Sequence, residues 1–139
     1  MKPESNILDE TFQGLVLGTR DYVQKNGFSK IILGLSGGID SAVIAYLCAN
    51  VWKEKSLALL MPDSKVSPKE ESEDAIKISD ELGLESKLID INPIHSEYSK
   101  YLEPNKLSLG NLSARIRANI LYYYANSKNY QEKRTGCRL

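Results

Sequence analysis

The chain has 139 residues, of which 42% are hydrophobic and 26% charged, and its 18 basic residues balance 18 acidic ones. This length suits one domain with its own core, and the zero net charge argues against a strongly basic binder of nucleic acid or membrane surfaces. No run approaches the roughly 20 apolar residues of a membrane span, and the first residues lack the apolar core of a signal peptide. We therefore expect a cytoplasmic protein with neither a nucleic-acid nor a membrane partner.

Helices and strands alternate in the predicted order of elements. Apolar residues recur at helical spacing in some segments and form short continuous runs in others. The predicted segments are a helix from residue 5 or 6 to 26, a strand over 30–35, a helix over 41–53, a strand over 57–61, a helix beginning with a capping box at Ser67-Pro68, and a strand over 86–91. Strands that alternate with helices form a parallel sheet with right-handed crossovers, so the predicted fold class is α/β, doubly wound.

The segment between the first strand and the second helix predicts an anion site. It consists of Gly34, Leu35, Ser36, Gly37, Gly38, Ile39, Asp40 and Ser41. A strand, a Gly-rich turn and a helix N-terminus together direct backbone amides at one point, and Gly37 and Gly38 let the backbone approach an anion closely. Ser36 and Ser41 add hydroxyl donors. The glycine spacing differs from that of the Walker A loop and of the Gly-x-Gly-x-x-Gly loop.

Asp40 is the residue of this loop that a phosphate site alone does not explain, because its carboxylate repels a phosphate. A divalent cation between the carboxylate and the phosphates removes that conflict. The sequence therefore predicts a nucleotide phosphate at residues 34–41 and a metal ion at Asp40.

Two further polar residues follow the second and third predicted strands. Asp63 is placed either to reach a nucleotide ribose or to serve as an ordinary turn residue. His95 is the single histidine of the chain. It is predicted to be a solvent-facing loop residue, because no partner for a metal site or a catalytic triad can be named for it.

A last helix is predicted to run to about residue 126, with two arginines beside its apolar stripe. The stripe consists of Leu112, Ile116, Ile120 and Tyr123. Asn111 and Arg115, four residues apart, share a neighbouring face, and Arg117 lies on the other flank. Taken alone, both arginines are consistent with surface residues whose stems cover apolar surface.

Two motifs carry a resemblance to a known family. The Ser-Gly-Gly-x-Asp-Ser sequence at 36–41 resembles the pyrophosphate loop of the N-type ATP pyrophosphatases, which cleave ATP between its α- and β-phosphates and adenylate a carbonyl oxygen. The Gly-Asn-x-x-Ala-Arg-x-Arg sequence at 110–117 is similar to a motif of the NAD synthase branch, with Leu109 where lysine is usual. The resemblance extends over about residues 7–127.

This resemblance implies a fold, a reaction and a set of ligands. The fold would be a Rossmann-like, adenine-nucleotide α-hydrolase-like sheet, and the protein a homodimer. The reaction would be the ATP-dependent amidation of deamido-NAD to NAD through an adenylated intermediate, with ammonia as nitrogen donor. Residues 34–41 would hold ATP, Asp40 would hold Mg²⁺ and Arg115 would contact deamido-NAD. No catalytic residue is assigned.

The chain departs from the family at its C-terminal end. Residues 1–127 are predicted to form an NAD synthase-like ATP pyrophosphatase domain, and 128–139 a polar, non-homologous tail where the family continues with a fourth strand. We therefore expect a C-terminally truncated member whose sheet is incomplete on that side. Two alternatives stay open: another pyrophosphatase-loop ligase, such as a GMP synthetase, and a noncatalytic nucleotide-binding fragment.

Overall fold

A computed structural model describes residues 4–127 and 137–138, with side-chain burial from residue 6 to 127. Its elements alternate as predicted. In chain order they are α1 (Glu4–Lys25), β1 (Ile31–Gly34), α2 (Ile39–Trp52), a 3-10 turn (Lys53–Lys55), β2 (Ser56–Leu60), α3 (Lys69–Leu82), β3 (Glu85–Leu88), α4 (Asn92–Ser99), α5 (Lys106–Asn126) and β4 (Cys137–Arg138).

The strands form one parallel sheet in the order β3-β2-β1-β4, which confirms the predicted α/β class. The two middle strands are almost entirely buried, as their continuous apolar runs predict for strands covered on both faces. β3, in contrast, lies at an edge and is exposed along its length, with Glu85 and Lys87 among its four residues. Charged residues on an edge strand discourage pairing with other chains.

Alternate residues of β1 and β2 point to opposite faces of the sheet, so the core has two halves. Ile31 and Leu33 pack with α1, α2 and α3 on one face. Ile32 packs with α5 on the other, where Ile116 and Ala125 are buried. Helices therefore cover both faces, which is the doubly wound arrangement expected from the sequence.

The chain runs outward from β1 to β2 and β3, and then returns to the other side of β1. There Cys137 and Arg138 lie opposite Ile31 and Ile32 in parallel register. No strand was predicted in this tail. β4 forms because the outer edge of β1 has unpaired backbone N–H and C=O groups, and these groups can pair with a short strand of any sequence. The rest of the predicted tail, residues 128–136 and 139, lies outside the described residues, and the boundary at residue 127 stays a prediction.

Three local predictions were wrong. Ser67 does not cap α3, which begins at Lys69, because the Ser67 hydroxyl accepts a hydrogen bond from the Asp63 amide at 3.1 Å. His95 lies in α4 rather than in a loop, and its Nε2 donates to the carbonyl of Leu109 at 3.1 Å, which ties α4 to α5. Tyr123 is 69% exposed, and Leu121 and Tyr124 pack against the α5 side of the core in its place.

Within the part of the chain that the structure describes, no helix combines the length and apolarity that a membrane crossing requires.

Candidate functional site: a phosphate loop beside a cavity

The predicted loop lies between β1 and α2, at the carboxyl edge of the sheet. The amide of Leu35 still donates to the carbonyl of Leu59 at 2.9 Å, so the sheet holds the loop up to that residue. Gly38 is the N-cap of α2, and the first helical bond runs from the Ala42 amide to the Gly38 carbonyl at 3.1 Å. The amides of residues 39–41 therefore have no acceptor within the helix, and amides at such a position are the kind of donors that bind an anion.

Two serine hydroxyls close the loop. Ser41 Oγ donates to the Gly38 carbonyl at 2.9 Å and accepts from the Ser36 amide at 3.2 Å. The two Oγ atoms are 3.1 Å apart, and the Gly38 amide donates to Ser36 Oγ at 3.4 Å. Both hydroxyl protons are thus used inside the loop. These hydrogen bonds shape the loop, and the role of the two hydroxyls as donors to an anion stays a prediction.

The backbone at Gly37 explains why the loop needs glycine there. Its φ is +86°, a conformation that residues with a Cβ rarely adopt. A Cβ at this position would also lie 2.2 Å from the carbonyl oxygen of Glu71, in the first turn of α3. The loop therefore lies directly against the start of α3. Gly38 is different, because its φ of −77° is ordinary and a Cβ there would meet only Ser36 Oγ, at 3.5 Å.

Asp40 lies in the first turn of α2, and its side chain is exposed. Its carboxylate makes no hydrogen bond or ion pair within the described residues. Residues 4–127 contain no group of three potential metal-ligating side chains. One free carboxylate beside unpaired amides nevertheless fits Mg²⁺, which is commonly held by one or two carboxylates together with phosphate oxygens and water.

A cavity of about 380 Å³ opens beside the loop, between the ends of β1 and β2 and the helices α3 and α5. Its wall is mostly apolar and carries one acidic and one basic side chain, Glu71 and Arg117. The remaining lining residues are Gly34, Leu35, Ser36, Leu59, Leu60, Met61, Pro62, Ser67, Ser72, Ala75 and Leu121. A mostly apolar cavity therefore adjoins the glycine-rich loop, and a cavity of this kind is a common ligand site.

The two arginines of α5 lie differently. Arg117 is half-buried and reaches the cavity, where its Nε donates to the carbonyl of Met61 at 2.8 Å. Arg115, the residue singled out from the sequence, is exposed and does not line this cavity. Helical spacing alone did not show which of the two reaches the cavity, because they flank the buried Ile116 symmetrically.

Asp63 is a turn residue that holds two loops together rather than a residue facing the cavity. It is 3% exposed, and its Oδ1 accepts from the Lys65 amide at 3.1 Å and from Asn92 Nδ2 at 2.8 Å. Asp90 makes the reciprocal contact, since its Oδ1 accepts from the Ser64 amide at 3.1 Å and from the Asn92 amide at 2.9 Å. Hydrogen bonding by Ser64, and then by the Asn92 amide, lowers the pKa of Asp90.

A strand, an unpaired helix N-terminus and an adjoining apolar cavity at the carboxyl edge of a parallel sheet are typical of nucleotide-binding α/β proteins. Comparison with known proteins narrows the class. The sequence profile of NAD synthase matches residues 11–136, and the chain belongs to the NAD synthase family.

Individual relatives agree with this assignment. The chain is 38% identical to the NH(3)-dependent NAD(+) synthetase of Hyperthermus butylicus over 141 residues, which cover 96% of this chain and 51% of that protein. The structure is similar to an NH3-dependent NAD synthetase from Campylobacter jejuni in complex with the nitrate ion, with a TM-score of 0.79 and 38% identity over 84% of this chain and 51% of the other. It is also similar to the glutamine-dependent NAD+ synthetase of Acinetobacter baumannii in complex with ADP. The TM-score is 0.80 and the sequence identity 34%, over 85% of this chain and 23% of the other.

These neighbours bear out the predicted adenine-nucleotide α-hydrolase fold. The chain spans about half the length of the ammonia-dependent relatives that it matches.

Proposed function

We propose that this chain binds ATP at residues 34–41 and serves the ATP-dependent amidation of deamido-NAD to NAD through an adenylated intermediate. The observation that carries the proposal is the loop after β1, whose unpaired helix-terminal amides open next to the apolar cavity. Membership of the NAD synthase family supports the choice of reaction over that of a GMP synthetase.

The residues of the loop would act electrostatically. The amides of residues 39–41, at the positive end of α2, would neutralise charge that develops on the departing pyrophosphate. Asp40 would hold Mg²⁺, which when bound supplies further positive charge to the phosphate oxygens. Glu71 would border the nucleotide, because it lines the cavity and its backbone lies against the loop at Gly37.

The second substrate would bind outside the nucleotide cavity. Arg115 is exposed on α5, four residues after Asn111, so its guanidinium is available to an anionic group of deamido-NAD. Ammonia would be the nitrogen donor, either free or supplied by a partner, and relatives named for ammonia and for glutamine both match this chain. We also propose that the protein is a homodimer and is located in the cytoplasm.

Calorimetry with ATP tests the site. We expect Asp40→Ala to weaken ATP binding by at least about tenfold with Mg²⁺ present and to change it little when Mg²⁺ is chelated. Glu70→Ala is the matched control, because Glu70 is likewise an exposed carboxylate in the first turn of a helix, but that helix is α3 and Glu70 lies outside the loop over 34–41. Equal affinities of wild type and Asp40→Ala with Mg²⁺ would remove Asp40 from the site.

A second candidate function is nucleotide binding without turnover. It rests on the same loop and cavity, which would hold a nucleotide whether or not a reaction follows. An assay for NAD and AMP formation from ATP, Mg²⁺, ammonia and deamido-NAD separates the two. Turnover at an ordinary enzymatic rate, about 1 s⁻¹ or more, supports the synthase, whereas ATP binding without product supports the second candidate.

A further inference from the structure

We infer that Arg117 contacts the nucleoside part of a nucleotide bound in the cavity, and thereby positions the nucleotide against the loop. This inference rests on the proposed function, because it requires ATP to occupy that site. It assigns a role to the arginine of α5 that the sequence analysis left without one.

The Arg117 side chain is fixed by one of its own hydrogen bonds. Ile116, its neighbour, is buried against the sheet, which places Arg117 at the rim of the α5 side of the core. From there Nε donates to the carbonyl of Met61, the residue that follows β2, at 2.8 Å. The bond spans 56 residues of sequence and leaves the guanidinium beside the carboxyl end of the sheet. A side chain fixed in this way loses little further freedom when it binds a ligand.

Most of the donors of the guanidinium remain unused. Arginine has five N–H donors, and the Met61 bond takes one of them. Within the described part of the chain, neither terminal amino group has a hydrogen-bond or ion-pair partner, and Glu71, the acidic residue of the same cavity wall, is not paired with it. A half-buried cation with free donors at the wall of an apolar cavity is therefore available to acceptor atoms of a ligand.

The position of the cavity indicates which part of a nucleotide would meet Arg117. The cavity is lined by Gly34, Leu35 and Ser36 from the loop, but not by residues 38–41, whose amides form the anion site. Its other walls are mostly apolar and include Leu121 on α5. Phosphates on the amides would thus leave the base and ribose to the cavity, where ring nitrogens and hydroxyl oxygens are acceptors for a guanidinium.

Three variants test this inference. Arg117→Met removes both the Met61 bond and the free donors, whereas Arg117→Lys keeps a positive charge but loses the planar guanidinium fork. Arg20→Met is the matched control, since Arg20 also donates to a backbone carbonyl of another element, that of Asn50 at 3.0 Å, but lies outside the cavity. Each folded variant is titrated calorimetrically with ATP and with inorganic pyrophosphate in the presence of Mg²⁺, and its unfolding temperature is recorded.

We expect Arg117→Met to weaken ATP binding by at least about tenfold and to leave pyrophosphate binding within about twofold. Arg117→Lys should have the unfolding temperature of wild type, but its ATP affinity should stay as low as that of Arg117→Met. Arg20→Met should lower the unfolding temperature and leave both affinities unchanged.

Wild-type affinity for ATP in either folded Arg117 variant would overturn the inference and reduce Arg117 to a structural contact. An equal loss of ATP and pyrophosphate affinity would overturn it too, because Arg117 would then serve the phosphates. A wild-type protein that binds neither ligand would instead refute the proposed function itself.

Discussion

Replacement of Gly37 by alanine tests the geometry of the loop most directly. Gly37 has a φ of +86°, and a Cβ there would lie 2.2 Å from the carbonyl oxygen of Glu71, where ordinary contact begins at about 3.4 Å. The obstacle is backbone in the first turn of α3, so it has no rotamer by which to move aside. Either the loop or α3 must shift.

The expected cost has two parts. A residue with a Cβ in the left-handed region costs about 1–2 kcal/mol, and forcing an extra carbon into packed surroundings costs about 1–3 kcal/mol. Gly37→Ala should therefore lower the free energy of unfolding by about 2–5 kcal/mol, which a domain of ordinary stability survives. The displaced loop should also bind ATP at least about tenfold more weakly, because its amides no longer converge.

Urea unfolding gives the stability and calorimetry gives the affinity. Gly38→Ala is the matched control, because Gly38 has an ordinary φ of −77° and 3.5 Å of clearance to Ser36 Oγ. We expect Gly38→Ala to lower the free energy of unfolding by no more than about 1 kcal/mol, because Gly38 is the N-cap of α2, where alanine is less favourable than glycine. A Gly37→Ala variant as stable as Gly38→Ala would refute the argument from the Glu71 contact.

Two further predictions concern charged residues away from the loop. Arg115→Ala should weaken deamido-NAD binding about tenfold and leave ATP affinity unchanged in calorimetry, and unaltered binding of both would make Arg115 an ordinary surface residue. Asp90→Ala should lower the urea midpoint at pH 7, because two backbone amides lose their acceptor. The pKa of Asp90 is lowered in the folded protein, so this contribution is present above the unfolded value of about 3.9 and is lost as the pH falls through the folded value. A difference from wild type that persists undiminished below that value would contradict the assignment to the Asp90 carboxylate.

Much of the fold could be predicted because β1 and β2 are buried on both faces. Such strands appear in a sequence as continuous apolar runs between turn residues. The segments between these runs have apolar residues at helical spacing, which identifies them as helices. The third strand was predicted over 86–91, whereas β3 spans Glu85–Leu88, and its four residues are exposed. The predicted start of α3 was wrong because the Ser67 hydroxyl can accept from either of two amide groups. The Asp63 amide competes with the amides of the helix terminus for this hydroxyl.

The geometry of the loop could be predicted because it is local: glycine, serine and helix-forming residues within eight consecutive positions determine it. The cavity could not, because its walls come from four elements. The bond from Arg117 to Met61 joins a side chain to a carbonyl, and any residue type supplies a carbonyl. Which arginine of α5 faces the sheet depends on the rotation of the helix, and packing around Ile116 sets that rotation.

The position of β1 in the sheet has a consequence for how the chain folds. β1 pairs on one side with β2, the next strand along the chain, and on the other with β4, which follows all the remaining helices. Because the entropy of loop closure grows with sequence separation, we expect the β1–β2 pair to form early and the β1–β4 pair last. In the interval the outer edge of β1, with its run of Ile31, Ile32 and Leu33, lies open to strands of other molecules. Refolding yield should therefore fall steeply with protein concentration, even though the charges of Glu85 and Lys87 protect the opposite edge.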